Sequence, residues 1–220
     1  MRSIVCLMAV VCLVFLSSAA VYGQGAGSGV QIKLPEPKYD GTVSVEKALK
    51  ERRSVRVYKD SPLSMAEVSQ VLFAAQGVTE PGRGLRTAPS ARAKYFLTVY
   101  LFVGNVTGLK PGMYRYEPKG HVLVLVSEGD AKGWLYKAAG QAPIGKAPAV
   151  LAIAGAQDRA TNADWMYLEA GHAAQNVYLQ CVPLGLGTVV MAGFNAEAVS
   201  KAINLPAGEK TLYIMPVGRK

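Results

Sequence analysis

The sequence predicts an α+β layer fold. Strand-like and helix-like stretches follow one another without regular strand–helix–strand alternation, which disfavours a doubly wound sheet. Ala147 to Ala156 is a continuous apolar run, as expected of a central strand buried on both faces. Leu168 to Gly187, LEAGHAAQNVYLQCVPLGLG, belongs to one long helix lined with small residues that leaves through glycines.

The 220-residue chain begins like an exported protein. In residues 1–23 a short positive start, Met1-Arg2, precedes the apolar run Ile4–Leu16 and the small residues of a cleavage region, Ser17 to Gly23. The run is shorter than the roughly 20 apolar residues of a membrane span. The expectation is export through a signal peptide to the periplasm or the medium, with membrane contact only through an uncleaved signal anchor. Residues 24–40 are expected to be a flexible spacer and residues 41–220 one domain with a real core.

Within that domain Ser44 starts a short helix to about Arg53, with Val45, Ala48 and Leu49 on one face. Ser64 and Glu67 have capping-box spacing for a second helix, closed at Gly77. Thr79 to Ala91 reads as loop, with Arg83, Arg86 and Arg92 at or beside it. Lys94–Val103 reads as a strand, and Gly112–Glu117 with His121–Val126 as a hairpin around Pro118-Lys119-Gly120. Ala131–Ala139 is a helix between Asp130 and Gly140. After the central strand comes the long helix, from about Asn162 to Leu184, with Pro183 expected to end it early. Gly187–Ala192 is a strand, Asn195–Ile203 a capped helix, and Lys210–Val217 a last strand.

Composition narrows the chemistry. Of three cysteines, Cys6 and Cys12 lie in the leader, so Cys181 has no disulfide partner within the domain and reads as a small core residue. The net charge is +9, with only Arg2 in the leader, and no basic cluster is interleaved with aromatics as nucleic-acid binding would want. The two histidines, His121 and His172, lack metal-ligand companions, and no serine elbow or P-loop occurs.

Two segments remain. Arg52-Arg53-Ser54-Val55-Arg56 places three guanidinium forks and a hydroxyl where a helix becomes extended chain. This set suits phosphate, although a basic helix end also arises simply from the helix dipole. Extended geometry separates Arg53 from Ser54 and Arg56, so a contiguous cradle needs a turn at Arg52-Arg53. In the long helix Met166, Ala170, Ala173, Val177 and Cys181 form a stripe that admits a second helix or packs as ordinary core. Glu169, His172, Gln175 and Asn176 are polar in an otherwise apolar helix.

These segments, with Thr87-Ala88-Pro89-Ser90-Ala91, Leu109 to Tyr116, Leu168 to Asn176, Leu184 to Gly187 and Pro216 to Arg219, resemble the nitroreductase superfamily. The branch that they resemble most is that of the SagB-type dehydrogenases, which oxidise azolines in modified peptides. The resemblance runs from about Ser44 to the end of the chain. It implies a mostly antiparallel sheet flanked by helices, a homodimer with the long helix against its mate, and one FMN in each of two interface sites. Arg52, Arg53, Ser54 and Arg56 would hold the phosphate and ribityl chain. Pro89 and Ser90 would reach the flavin from the other subunit. Glu169 and Ala170 would lie beside the flavin ring, Gly185, Leu186, Gly187 and Thr188 would form the nearby exit loop, and Arg219 would help to neutralise the phosphate.

The resulting expectation is an exported FMN-dependent oxidoreductase acting on a small or peptide-derived substrate. Nicotinamide donors are scarce outside the cell, so an electron partner other than NAD(P)H is expected, or a substrate that is itself oxidised. No catalytic acid is assignable. The alternatives are a flavin- or anion-binding module without turnover and a structural dimer of the cell envelope.

Overall fold

The computed structural model describes residues 29–160 and 162–220, and the expected signal peptide lies outside them. Nine strands and six helices occur among the described residues. They are β1 Gln31–Lys33, α1 Val45–Glu51, α2 Met65–Gln76, β2 Val78–Glu80, β3 Leu85–Arg86, β4 Leu97–Val103, β5 Gly112–Glu117, β6 Val122–Glu128, α3 Ala131–Ala139, α4 Ala142–Lys146, β7 Ala149–Ala156, α5 Ala163–Cys181, β8 Leu186–Thr188, α6 Ala196–Ala202 and β9 Glu209–Arg219.

Seven strands form one sheet in the order β1-β6-β5-β4-β7-β9-β8, and every pair in it is antiparallel. β2 and β3 form a separate two-stranded ribbon inside the expected loop. β7 lies inside the sheet with all eight residues buried, as its unbroken apolar run requires. Helices cover both faces. α2 and α5 pack on one through Val68, Val71, Leu72, Met166, Ala173 and Val177. α3, α4 and α6 pack on the other through Ala131, Leu135, Ile144 and Val199.

Local signals set most helix boundaries. Ser44, Asp130, Asn162 and Asn195 each accept a backbone N–H at a helix start. Ser64 and Glu67 form the full capping box. Gly140 ends α3 in the left-handed region, and α5 ends at Cys181, two residues before Pro183. On β7, a side chain at Gly155 would overlap Met166, so glycine is what lets α5 lie this close to the sheet.

Several expectations are corrected. The spacer is fastened to the domain from residue 31 onward: β1 pairs with β6, Leu34 is buried, and Ser69 Oγ donates to the Pro35 carbonyl. α4 was not anticipated, because Pro143 and Gly145 disguise a helix of five residues. Val45 and Leu49 are 63% and 53% exposed, and only Ala48 on that face of α1 is buried. The small stripe Met166, Ala170, Ala173, Val177 and Cys181 faces the chain's own core, not a mate. The outer face of α5 is different and carries Tyr167, Leu168, His172 and Gln175.

Candidate functional site

The end of α1 builds the first cluster. Arg52 is the C-cap and leaves the helical conformation there, which supplies the turn that a cradle needs. Ser54 then bridges to Thr188, and the Val55 N–H donates to the Thr188 carbonyl at 2.9 Å. The segment is thereby laid along β8. Gly187 makes this possible, because a Cβ there would lie 2.6 Å from that of Val55.

Tyr178 of α5 is the hub. Its ring lies under the Arg52 guanidinium at 4.9 Å, a cation–π geometry. Its hydroxyl shares a 2.9 Å hydrogen bond with Ser54 Oγ and accepts the Val190 N–H at 2.9 Å. The end of α1, α5 and the chain after β8 thus meet on one phenol. Arg53 behaves differently: its Nη1 donates to the carbonyls of Lys50 and Arg52, so it closes the end of α1. Arg56 is exposed. Among the described residues, Arg52, Arg53 and Arg56 have no carboxylate within ion-pair distance.

Two further features complete this cluster. Among the described residues Thr188 Oγ1 is buried without a hydrogen-bond partner. Such an orphan is costly unless a ligand or water satisfies it. Arg219 is paired across the sheet with Leu186 of β8, which sets it just past the turn that ends at Gly185; of the expected exit loop 185–188, residues 186–188 are strand. Its guanidinium is 2.8 Å from Glu67 Oε1, so the same carboxylate that caps α2 already holds it.

Pro89, Ser90, Glu169 and Ala170 lie elsewhere. Glu169 is nine residues from Tyr178 along α5, about 13 Å at 1.5 Å per residue. It is 1% exposed and Ala170 is 0% exposed, so neither presents a side chain to a surface cleft. Glu169 instead accepts from Ser90 Oγ at 2.6 Å, from the Phe96 N–H at 3.2 Å and from Gln76 Nε2 at 3.5 Å. Gln76 in turn accepts from Arg86 at 2.8 Å. Their place beside a flavin ring therefore remains an expectation, one that their backbone would have to meet, since both side chains are buried. This carboxylate pins the Ser90 loop to α5. Pro89 is exposed, and its carbonyl lies 3.2 Å from His172 Nδ1.

One protomer thus separates the expected residues into an arginine cradle and a Ser90 loop. Tyr178 and Gln76 were not singled out as site residues by sequence reasoning. A phenol among alanines on α5 and a glutamine at the end of an apolar helix were the available signals. Cys181 is inert: burial pushes its thiol up to about 12. No cluster of metal-ligating side chains occurs among the described residues.

Fold and cradle together define a class: an antiparallel α/β/α sandwich that presents unmatched guanidiniums and a free hydroxyl at the edge of its sheet. The chain belongs to the nitroreductase family, whose profile matches residues 49–219. It is 40% identical over 201 residues to a nitroreductase-like protein of Methanocaldococcus jannaschii, covering 88% of this chain and 98% of that one. Among solved structures it resembles a nitroreductase-like protein of Ralstonia eutropha, with a TM-score of 0.76 and 31% identity over 86% of this chain and 89% of that one. It also shares the fold of a nitroreductase-like protein of Desulfovibrio desulfuricans solved in complex with FMN. That likeness has a TM-score of 0.60 and 19% identity over 80% and 85% of the two chains.

Proposed function

We propose that the protein is an FMN-dependent oxidoreductase that works outside the cytoplasm as a homodimer. The observation that carries the reading is the cradle around Tyr178: arginines without carboxylate partners and an orphaned threonine hydroxyl, in a chain of the nitroreductase family.

The residues fit the group. Arg52 and Arg56 supply charge-assisted donors for a phosphate, as does Arg219 once it leaves Glu67. Ser54 and Thr188 offer hydroxyls to a ribityl chain, and Gly185, which has open space where a side chain would stand, allows close backbone approach. FMN, when bound, supplies reversible two-electron chemistry, which removes the need for an acid–base pair in the protein. The chain's own task would be to grip the anionic end, orient the ring and exclude water.

A second copy completes the site in this reading. The cradle and the Ser90 loop are separated along α5 of one protomer, and the exposed face of α5 carries Leu168 at 61% exposure. Pairing two such faces buries that surface and brings one copy's Ser90 loop toward the other's cradle. The leader supports export, and export supports an electron partner other than NAD(P)H. The SagB-type motifs support a peptide-derived or other small substrate that is oxidised.

Incubating the protein with FMN and removing the excess tests this directly. The expected result is a yellow protein with near-stoichiometric flavin, reducible by dithionite and only slowly by NADH. A colourless protein that leaves FMN fluorescence unquenched would overturn it. Bound flavin that no acceptor or substrate reoxidises would instead favour the binding-module alternative.

A further inference from the structure

The sheet opens a second polar cavity, built from other residues than the cradle. The β4–β5 ladder stops at Tyr100 paired with Arg115, although β4 begins at Leu97 and β5 continues to Glu117. The two strands part below that pair. A cavity of about 310 Å³ fills the gap, and Gln76, Arg86, Tyr95, Arg159 and Glu209 close its sides.

Its charges are unevenly satisfied. Arg115 Nε donates to Glu117 at 2.6 Å, so that pair is self-contained. Both oxygens of Glu209 are taken, one by Thr98 Oγ1 at 2.8 Å and one by the Tyr100 hydroxyl at 2.7 Å. Arg86 is half-buried, its guanidinium lies 4.5 Å over the Tyr95 ring, and among the described residues that guanidinium donates only to the neutral Gln76 amide. Neither Arg86 nor Arg159 has a carboxylate within ion-pair distance among the described residues. Burying a guanidinium without an anion is unfavourable. Burial pulls the Arg86 pKa below the usual arginine range, against the opposing pull of the more distant Glu169 and Glu117 carboxylates and of the Tyr95 and Tyr116 phenols.

We infer that this cavity is a binding site for a small molecule bearing one carboxylate, held between Arg86 and Arg159. The planar fork of arginine matches a carboxylate through two parallel hydrogen bonds. Charge selects a monoanion over a dianion. Three arginines against two glutamates leave a single positive charge on the walls. The volume admits a compact molecule and excludes a macromolecular segment. The site touches the network described above, since Gln76 joins Arg86 to Glu169 and so to Ser90.

The test is an NMR titration of the full chain, labelled at arginine nitrogen, with sodium acetate and with sodium phosphate as comparator. The expected result is saturable movement of the Arg86 and Arg159 side-chain signals by acetate, with phosphate weaker. Arg159→Gln, a change at an exposed position, should weaken acetate roughly tenfold as read at Arg86, the share of one charge-assisted contact. The response should persist in Arg52→Ala protein, which separates this cavity from the cradle. Non-saturating shifts, stronger binding of phosphate, an unchanged titration in Arg159→Gln protein or loss of the response in Arg52→Ala protein would each overturn the inference.

Discussion

Tyr178 decides more at the residue scale than any of the arginines around it, because Arg52, Ser54 and Val190 all converge on it. Replacing Arg52 with alanine removes a charge-assisted contact worth about 1.5–3 kcal/mol and should weaken FMN retention by one to two orders of magnitude. Flavin occupancy measured after gel filtration checks this, and unchanged occupancy would remove Arg52 from the cradle. Gly187→Ala acts from behind: the new methyl meets Val55 and pushes the 52–56 segment off β8. Overpacking of this kind costs about 1–3 kcal/mol, so both thermal stability and flavin affinity should fall together. His121 gives a pH dependence. It is buried between the Tyr116 hydroxyl at 2.8 Å and Ser69 Oγ at 2.7 Å, and Ser69 continues to the Pro35 carbonyl. A neutral ring with its proton on Nε2 satisfies every partner in that chain. Burial lowers its pKa, and Lys33 adds to this, while the Pro35 carbonyl and Glu36 oppose it. The unfolded histidine takes up a proton near pH 6.5, above the folded one, so this contribution is complete above that pH and is lost as pH falls below it. Urea unfolding of wild type and His121→Gln between pH 7.5 and 5 should show the extra acid sensitivity in wild type only.

Among the elements, α2 links stability to the site. Glu67 closes the capping box and also holds Arg219 beside the start of β8. Glu67→Gln should therefore have opposite effects on two readouts. Stability falls by roughly 1 kcal/mol through the weakened cap, while FMN binds more tightly because Arg219 is released toward the phosphate. Equal or weaker flavin binding would remove Arg219 from the cradle. This scale also explains what was legible in the sequence. Ser64-x-x-Glu67, Asp130 with Gly140, Asn162 and Asn195 are local signals, and each marked a real boundary. β1, with three residues of no marked pattern, owes its existence to pairing with β6 and could not be seen locally. The basic run Arg52–Arg56 was legible because its residues are contiguous, whereas Tyr178, which the fold brings to it from α5, was not. The burial of Glu169 was not, since its partners Gln76, Ser90 and Phe96 come from three distant segments. The stripe on α5 was read with the right periodicity, but periodicity does not say whether the sheet or a mate covers the face.

For the whole molecule the proposed function requires the arginine cluster and the Ser90 loop, separated in one protomer, to meet at one flavin. In a single protomer the Ser90 loop is locked to α5 by Glu169, and the cradle is locked to α5 by Tyr178, so neither slides toward the other. In the proposed homodimer, symmetry would join them without deforming either, since a two-fold pairing of equivalent faces would set each loop against the other copy's cradle. Leu168, at 61% exposure on the outer face of α5, is the side chain to challenge. Leu168→Glu places a charge where the proposed interface buries a leucine, and it touches neither half-site. Sedimentation should report a monomer, circular dichroism an unchanged fold, and flavin retention a marked drop despite an intact Arg52 and Ser54. A Leu168→Glu protein that stays dimeric and keeps its FMN would place the interface on another surface, and a monomer that keeps its FMN would mean that the cradle needs no partner.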